Sequence, residues 1–348
     1  MVPDDVARAW GWGAGRAADI AEIHDIAELG GGLINATYAV RRAGEPIAVL
    51  QRLHPIFAGE VNLDIEAITG HLAGRGLVTP RLIRTRDGRA WHDHGGRVWR
   101  ALSWIDGTTV NTVPDPSWAE AGGALVGAFH RAVADLSHDY AFARDGVHDT
   151  RAHLARLADQ VAAGGDPAAV AIGREILDAA DGLPAMPDVP HRHCHGDLKI
   201  SNLLFAAPPV RGVCLVDLDT LGLSTMAFEL GDAMRSWCNP HGEDAGRVAF
   251  DLAIFAAAIR GFRELADPIV SGDEKVAIVV GLETVCLELA ARFAVDAFRD
   301  EYFGWDPARF ASRRAHNLVR AHGQLALGLA VRAARPDALD LVRSARTA

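Results

Sequence analysis

The stretch His195-Gly196-Asp197-Leu198-Lys199-Ile200-Ser201-Asn202 constrains this chain more than any other part of it. It is followed by the apolar run Val213-Cys214-Leu215-Val216 and then by Asp217-Leu218-Asp219. A polar loop therefore feeds a buried strand, and that strand delivers a carboxylate at its end. The residue types form a chemical set. Asp197 can accept the proton of a hydroxyl, while the Asn202 carbonyl and the Asp217 carboxylate can hold a hard divalent cation against phosphates. The bland alternative is a polar turn before a strand, with Asn202 as a cap.

Composition narrows the class. At 348 residues, with 49% of them apolar, the chain can bury a large core and is globular. A net charge of −10 argues against nucleic-acid binding, which needs a basic footprint. It does not argue against a nucleotide, whose phosphates backbone amides and Mg2+ can neutralise. Cys194, Cys214, Cys238 and Cys286 are widely spaced with no pairing pattern, as in a reducing compartment. The start, Met1-Val2-Pro3-Asp4-Asp5, lacks the regions of a signal peptide, and the most apolar segments carry charges. The expected setting is cytoplasmic, with no membrane and no nucleic-acid partner. His191, His193 and His195 cluster with Cys194, but they are too close in sequence to converge on one zinc ion without strain.

Periodicity predicts a helical segment over 1–28, strands over 29–40 and 45–53, and a helix over 64–74. Strands follow over 81–85 and 97–104, separated by the Arg86-Asp87-Gly88 turn. Ile105-Asp106-Gly107 reads as a hinge, which places a first domain at 1–104 and a second at 105–348. The second is mostly helical. Ser117 is a plausible N-cap, and helices are expected over 150–163, 167–180, 229–238, 244–265, 272–298 and 307–332.

Asp197 and Asn202 stand at the spacing H-x-D-L-x-x-x-N of the kinase catalytic loop, and Asp217 falls where the D-F-G aspartate would. In this context the chain resembles the aminoglycoside phosphotransferase and choline kinase superfamily, with Gly196 in place of the protein-kinase arginine. The run Thr220-Leu221-Gly222-Leu223-Ser224-Thr225-Met226-Ala227-Phe228-Glu229-Leu230-Gly231-Asp232-Ala233-Met234-Arg235 is similar to the bacterial N-acetylhexosamine 1-kinase branch. So are Ile34-Asn35-Ala36-Thr37-Tyr38, Leu50-Gln51-Arg52-Leu53, and His316-Asn317-Leu318-Val319-Arg320-Ala321 with Gln324.

The resemblance implies an α+β, two-lobed protein-kinase-like fold with a small β-rich N-lobe and a mainly helical C-lobe. It implies ATP and Mg2+ as cofactors and transfer of the γ-phosphate to a small-molecule hydroxyl. Its most specific form is the anomeric hydroxyl of an amino sugar. An aminoglycoside or choline-type acceptor would suit the same machinery, and a non-catalytic nucleotide-binding module is the alternative from another class.

Candidate residues follow from these two sources. Asp197 is the catalytic base or orienter, and Lys199 is close enough in sequence to meet the transferring phosphate. Gly30, Gly31 and Gly32, with Asn35 and Thr37, are the expected phosphate lid. Ser103 and Ile105, beside the hinge, are candidate nucleotide contacts. The metal set is Asn202, Asp217 and Asp219, with Asp219 equally readable as a residue that fixes its loop. A kinase strand ends here in V-A-I-K, but this chain reads Ala48-Val49-Leu50-Gln51-Arg52. Alternation puts Gln51 and Arg52 on opposite faces, which favours Gln51 at the nucleotide unless a bulge turns Arg52 inward. Glu60, Asp64 and Glu66 are possible acidic partners on the following helix. Arg292, Asp296, Tyr302 and Phe303 resemble the sugar-binding region of the hexosamine kinases, with an intrahelical salt bridge beside a core tyrosine as the plain alternative.

Overall fold

The computed structural model describes residues 2–12, 24–29, 35–143 and 146–344. The glycines Gly30, Gly31 and Gly32 lie outside the described residues. The fold is α+β and kinase-like, an N-terminal antiparallel sheet followed by a mainly helical region. The chain divides into two compact units. The first comprises residues 1–107, 135–143 and 216–221, and the second comprises 108–134, 144–215 and 222–348. A single cut after residue 104 has no place for the two later segments that join the first unit.

The first unit begins with helix α1 (Asp4–Ala9) and strands β1 (His24–Leu29), β2 (Ala36–Arg42) and β3 (Glu45–Arg52). Helix α2 (Val61–Gly74) and strands β4 (Leu82–Ile83), β5 (His92–His94) and β6 (Arg97–Ser103) follow. Among the described residues the six strands form one antiparallel sheet in the order β1-β2-β3-β6-β4, with β5 paired to β6. The helix expected over 1–28 is not continuous: among its described residues Asp4–Ala9 is helical, and 24–29 pairs with β2 as a strand. The backbone donors of 24–29 find better partners across the sheet than in an isolated turn. Tyr38, Val40, Ala48, Leu50, Trp99 and Ala101 alternate onto one sheet face. There they pack against Val6, Trp10 and Trp12.

The second unit opens with α3 (Pro116–Val133), α4 (Thr150–Ala163) and α5 (Pro167–Ala180). Next come β7 (Arg192–Cys194), β8 (Leu203–Ala206), β9 (Arg211–Leu215) and β10 (Gly222–Ser224). It ends with α6 (Met226–Trp237), α7 (Leu252–Ala266), α8 (Gly272–Arg299) and α9 (Arg313–Arg343). Asp115, not Ser117, caps α3. Its carboxylate accepts from the Ser117 amide, and Pro116 takes the first helical position, where no N–H is needed. The helix expected over 244–265 begins at Leu252, because Asp251 accepts from Ala253 N and Ile254 N and so ends the extended approach.

Helix α8 is buried along most of its length and packs against α4, α5, α6 and α9. It crosses α6 at Gly231 and Gly281, where an added Cβ on Gly281 would run into the Ala227 backbone. Bare backbones let the helices approach closely, which fixes the depth of α6 and of the side chains it carries.

Candidate active site

In the second unit, β7 leads into the loop that carries Asp197. Pairing of β7 with β10 sets the entry. Leu198 and Ile200 are buried, and Trp237 Nε1 donates to the Leu198 carbonyl at 2.7 Å. Asp197 and Lys199, which alternate with them, are only half-buried. Lys199 Nζ meets Asp197 Oδ2 at 2.7 Å. Asn202 Nδ2 donates to the Asp197 carbonyl at 2.8 Å and to Oδ2 at 3.0 Å. With its NH2 group committed to Asp197, Asn202 has its side-chain carbonyl to offer a cation.

Glu229, on α6, holds the loop from beneath. Its carboxylate accepts from His195 N at 2.8 Å and Gly196 N at 2.9 Å, and His130 Nε2 lies 3.3 Å away. Burial alone would push this carboxyl up. The His130 imidazole, the His195 charge and the backbone amide outweigh that and hold it below the ordinary range. His195 Nδ1 accepts from Asp197 N at 3.3 Å, so the histidine acts within the loop. One turn beyond Glu229, Asp232 accepts from Arg235 Nε at 2.8 Å. Burial raises the Asp232 carboxyl, but the Arg235 charge brings it below its usual value, and Arg235 is raised in turn by its acidic neighbours despite burial.

The hairpin β8–β9 continues from Asn202, with Leu203 opposite Leu215. After Leu215 the chain enters the first unit at Val216, and Asp217 follows. There it takes a left-handed conformation (φ 63°, ψ 57°) at the head of the turn Leu218–Thr220. A non-glycine residue in that region costs about 1 to 2 kcal/mol, which the surroundings must offset.

Asp219 supplies one such anchor. It is buried, its Oδ1 pairs with Arg100 Nη1, and its Oδ2 accepts from Asn35 Nδ2. Both oxygens are thus engaged within the fold, as expected for a residue that fixes its loop. Arg100 Nε donates to Gln51 Oε1 at 2.9 Å, and Gln51 Nε2 donates to Thr37 Oγ1 at 3.2 Å. Asn35 Oδ1 accepts from His54 N at 2.9 Å. Asn35, Thr37 and Gln51 thus come together in one network, whereas Arg52 lies on the opposite face, 5.9 Å over the Trp99 ring. The Ser103 hydroxyl accepts from Arg81 N at 2.9 Å, and Ile105 is half-buried in the stretch after β6.

The acidic candidates of α2 are used elsewhere. Asp64 accepts from His138 Nε2, Ala141 N and Phe142 N, and Glu66 pairs with Arg84. Glu60 is exposed at the helix start.

Sequence reading missed Arg100. The available signal was a lone arginine in the apolar strand Val98-Trp99-Arg100-Ala101-Leu102.

The expected sugar segment is organised differently from its reading. Asp296 is buried and accepts from Glu301 N, Tyr302 N, Phe303 N and Asn317 Nδ2, so its oxygens close the turn after α8 rather than face a ligand. Tyr302 is exposed, and Arg292 lies 5.7 Å over the Phe303 ring. Instead, a cavity of about 160 Å³ in the second unit is lined by Lys199, Arg235, Asn239, Glu243 and Gln324. Gln324 Oε1 is buried in this cavity's wall without a hydrogen-bond partner among the described residues.

The donor types at Asn202 and Asp217 fit Mg2+. That ion takes oxygen ligands, commonly one or two from protein, with phosphates and water completing the shell. Among the described residues no helix is long and apolar enough to cross a membrane.

Comparison with known proteins gives the context. The sequence pattern described as the phosphotransferase enzyme family matches residues 25–267. The homoserine kinase of Granulibacter bethesdensis is 26% identical over 248 residues, which is 70% of this chain and 71% of that protein. The structure of a microcompartment-associated aminopropanol kinase superposes with a TM-score of 0.63 at 15% identity, over 97% of this chain and 98% of that one. An aminoglycoside phosphotransferase from Alicyclobacillus acidocaldarius superposes with a TM-score of 0.62 at 15% identity, over 97% of each chain. At such identities these two structures speak for the fold alone.

Proposed function

The chain belongs to the phosphotransferase enzyme family, as an ATP-dependent small-molecule kinase with an alcohol acceptor, and from that premise we propose what its own residues do and which acceptor they suit. Asp197 takes the proton of the acceptor hydroxyl and orients its oxygen for attack on the γ-phosphorus. The observation that carries this role is the clamp on Asp197 Oδ2, held by Lys199 at 2.7 Å and by Asn202 at 3.0 Å. Both donors fix the carboxylate in place, and positioning is much of the rate in phosphoryl transfer. The Lys199 ammonium also stands ready to balance charge on the transferred group. Glu229 keeps the loop rigid through two backbone amides. When bound, Mg2+ would neutralise the nucleotide's phosphates, and the oxygen donors of Asn202 and Asp217 are of the type that ion takes.

The acceptor is a compact hydroxylated amine or amino acid. Lys199 borders a cavity that also presents Arg235 and Glu243. A guanidinium suits a carboxylate, and a carboxylate suits an ammonium. The homoserine kinases among the relatives act on an acceptor of this type. The amino-sugar reading rests on the runs around Leu50-Gln51-Arg52 and Phe228-Glu229-Leu230-Gly231-Asp232. It loses an acceptor at Asp296, whose oxygens serve the chain itself.

The test is an acceptor panel with ATP and Mg2+: homoserine, amino alcohols, hexosamines, choline and aminoglycosides, with product position read by phosphorus NMR. Homoserine or an amino alcohol should give the highest kcat/KM, and a hexosamine in first place would refute this acceptor. Asp197→Asn should lower kcat by about 10²- to 10⁴-fold with nucleotide affinity retained. Near-normal turnover in that variant would remove Asp197 from the mechanism.

A further inference from the structure

The strand position that carries a lysine in kinases is Gln51 here, and the cation has to come from elsewhere. In β6, directly opposite Gln51 in the sheet register, stands Arg100. Its side chain is fully buried. A guanidinium has five N–H donors in a rigid fork, and the fold occupies only part of it. Nε is taken by Gln51 Oε1, and Nη1 is taken by the Asp219 carboxylate. Nη2 is buried and has no hydrogen-bond partner among the described residues. An unmet donor on a buried cation is unfavourable and rare in folded proteins, so it points to a missing acceptor.

The surroundings say which acceptor. Asn35, the first described residue after the glycine segment, binds the same Asp219 carboxylate. Asp219 lies two residues beyond Asp217, in the same short turn. Gln51 ties Arg100 to Thr37 on β2. Arg100 therefore sits where the three segments expected to meet the nucleotide's phosphates converge within the first unit. In protein kinases the strand lysine is held by a glutamate from the neighbouring helix. Here the carboxylates of α2 are committed to His138, Arg84 and backbone amides, and Asp219 is the anion that holds the cation instead.

We propose that Arg100 replaces the kinase lysine from the adjacent strand, with Gln51 and Asp219 fixing its fork and Nη2 donating to a non-bridging phosphate oxygen of the nucleotide. The proposal rests on the kinase reading above. It makes Gln51 a positioning residue and Arg100 the ligand-contacting one.

The experiment is calorimetric titration of the whole chain with MgATP and, separately, with adenosine, no acceptor being present. Arg100→Gln should weaken MgATP binding by about 10- to 100-fold, the loss of one charge-assisted hydrogen bond to phosphate, and leave adenosine affinity unchanged. Arg100→Lys keeps the charge without the fork and should fall between the two. Because Arg100→Gln leaves Asp219 buried without its cation, the charge-balanced pair Arg100→Gln with Asp219→Asn carries the same test if the single variant does not fold. Equal weakening for MgATP and adenosine, or MgATP binding as in wild type, overturns the role of Arg100 alone. A wild-type chain that binds no MgATP overturns the kinase reading and this proposal with it.

Discussion

Replacing Glu229 by glutamine tests how firmly the catalytic loop is held. The carboxylate accepts two backbone amides, His195 N at 2.8 Å and Gly196 N at 2.9 Å, with Glu229 and His195 themselves buried. Hydrogen bonds to a charged acceptor contribute about 1.5 to 3 kcal/mol each, and a buried donor left unmet costs about 1 to 3 kcal/mol. Glutamine offers one acceptor oxygen, so one amide keeps a weaker bond and the other faces an NH2 group. The expected loss in Glu229→Gln is about 2 to 4 kcal/mol near neutral pH.

The pH dependence sharpens this. The Glu229 carboxyl is lowered from its ordinary value of 4.5, so the folded state binds fewer protons than the unfolded state in that window. Its contribution is fully present above the ordinary value and is lost as pH falls through the lowered one. Glutamine has no such proton to take up. The stability gap between wild type and Glu229→Gln should therefore narrow on acidification below about pH 4.5. Urea unfolding of both proteins, repeated from neutral to acidic pH, measures it. A neutral-pH gap under about 0.5 kcal/mol, or a gap that widens towards acid, would refute the reasoning. Asp197 follows Gly196 directly, so kcat should fall alongside stability while the KM for ATP changes little.

Gly281→Ala should destabilise by about 1 to 3 kcal/mol, because its methyl group meets the Ala227 backbone at the α6–α8 crossing. An unchanged melting temperature would show that the two helices can separate at no cost. Arg52→Ala should lose about 0.5 to 1 kcal/mol with its contact over Trp99 and leave the KM for ATP as it was. A raised KM for ATP in that variant would mean that the strand presents Arg52 to the nucleotide.

What could be read from the sequence was local. The helices 150–163 and 167–180 announce themselves through Asp149, through Asp166 and through Pro167, all of which act within one turn. The loop around Asp197 is legible because its functional groups lie within a few residues of one another. Arg100 was not legible, since its importance depends on facing Gln51 across a strand pair and on meeting Asp219 from far along the chain. Asp296 was misread for a related reason. An arginine and an aspartate one turn apart look like a paired polar patch, but the aspartate turns to the amides of residues that follow the helix. The strand 24–29 was hidden because a short run flanked by polar residues carries too few repeats to separate the helical period from the extended one.

The first unit is assembled from three separate pieces of chain, and synthesis delivers them in order. When residue 107 has left the ribosome, Asp64 still lacks His138, Ala141 and Phe142, and both Arg100 and Asn35 still lack Asp219. Asp64 must wait until residue 142 has been made, and Arg100 must wait for its carboxylate until Asp219 has been made, more than a hundred residues after 107. An excised fragment ending at residue 107 would stay in that waiting condition permanently. Folding of the first unit is therefore obligatorily late, and any chaperone dependence of this protein should concentrate in the interval of translation between residues 107 and 221.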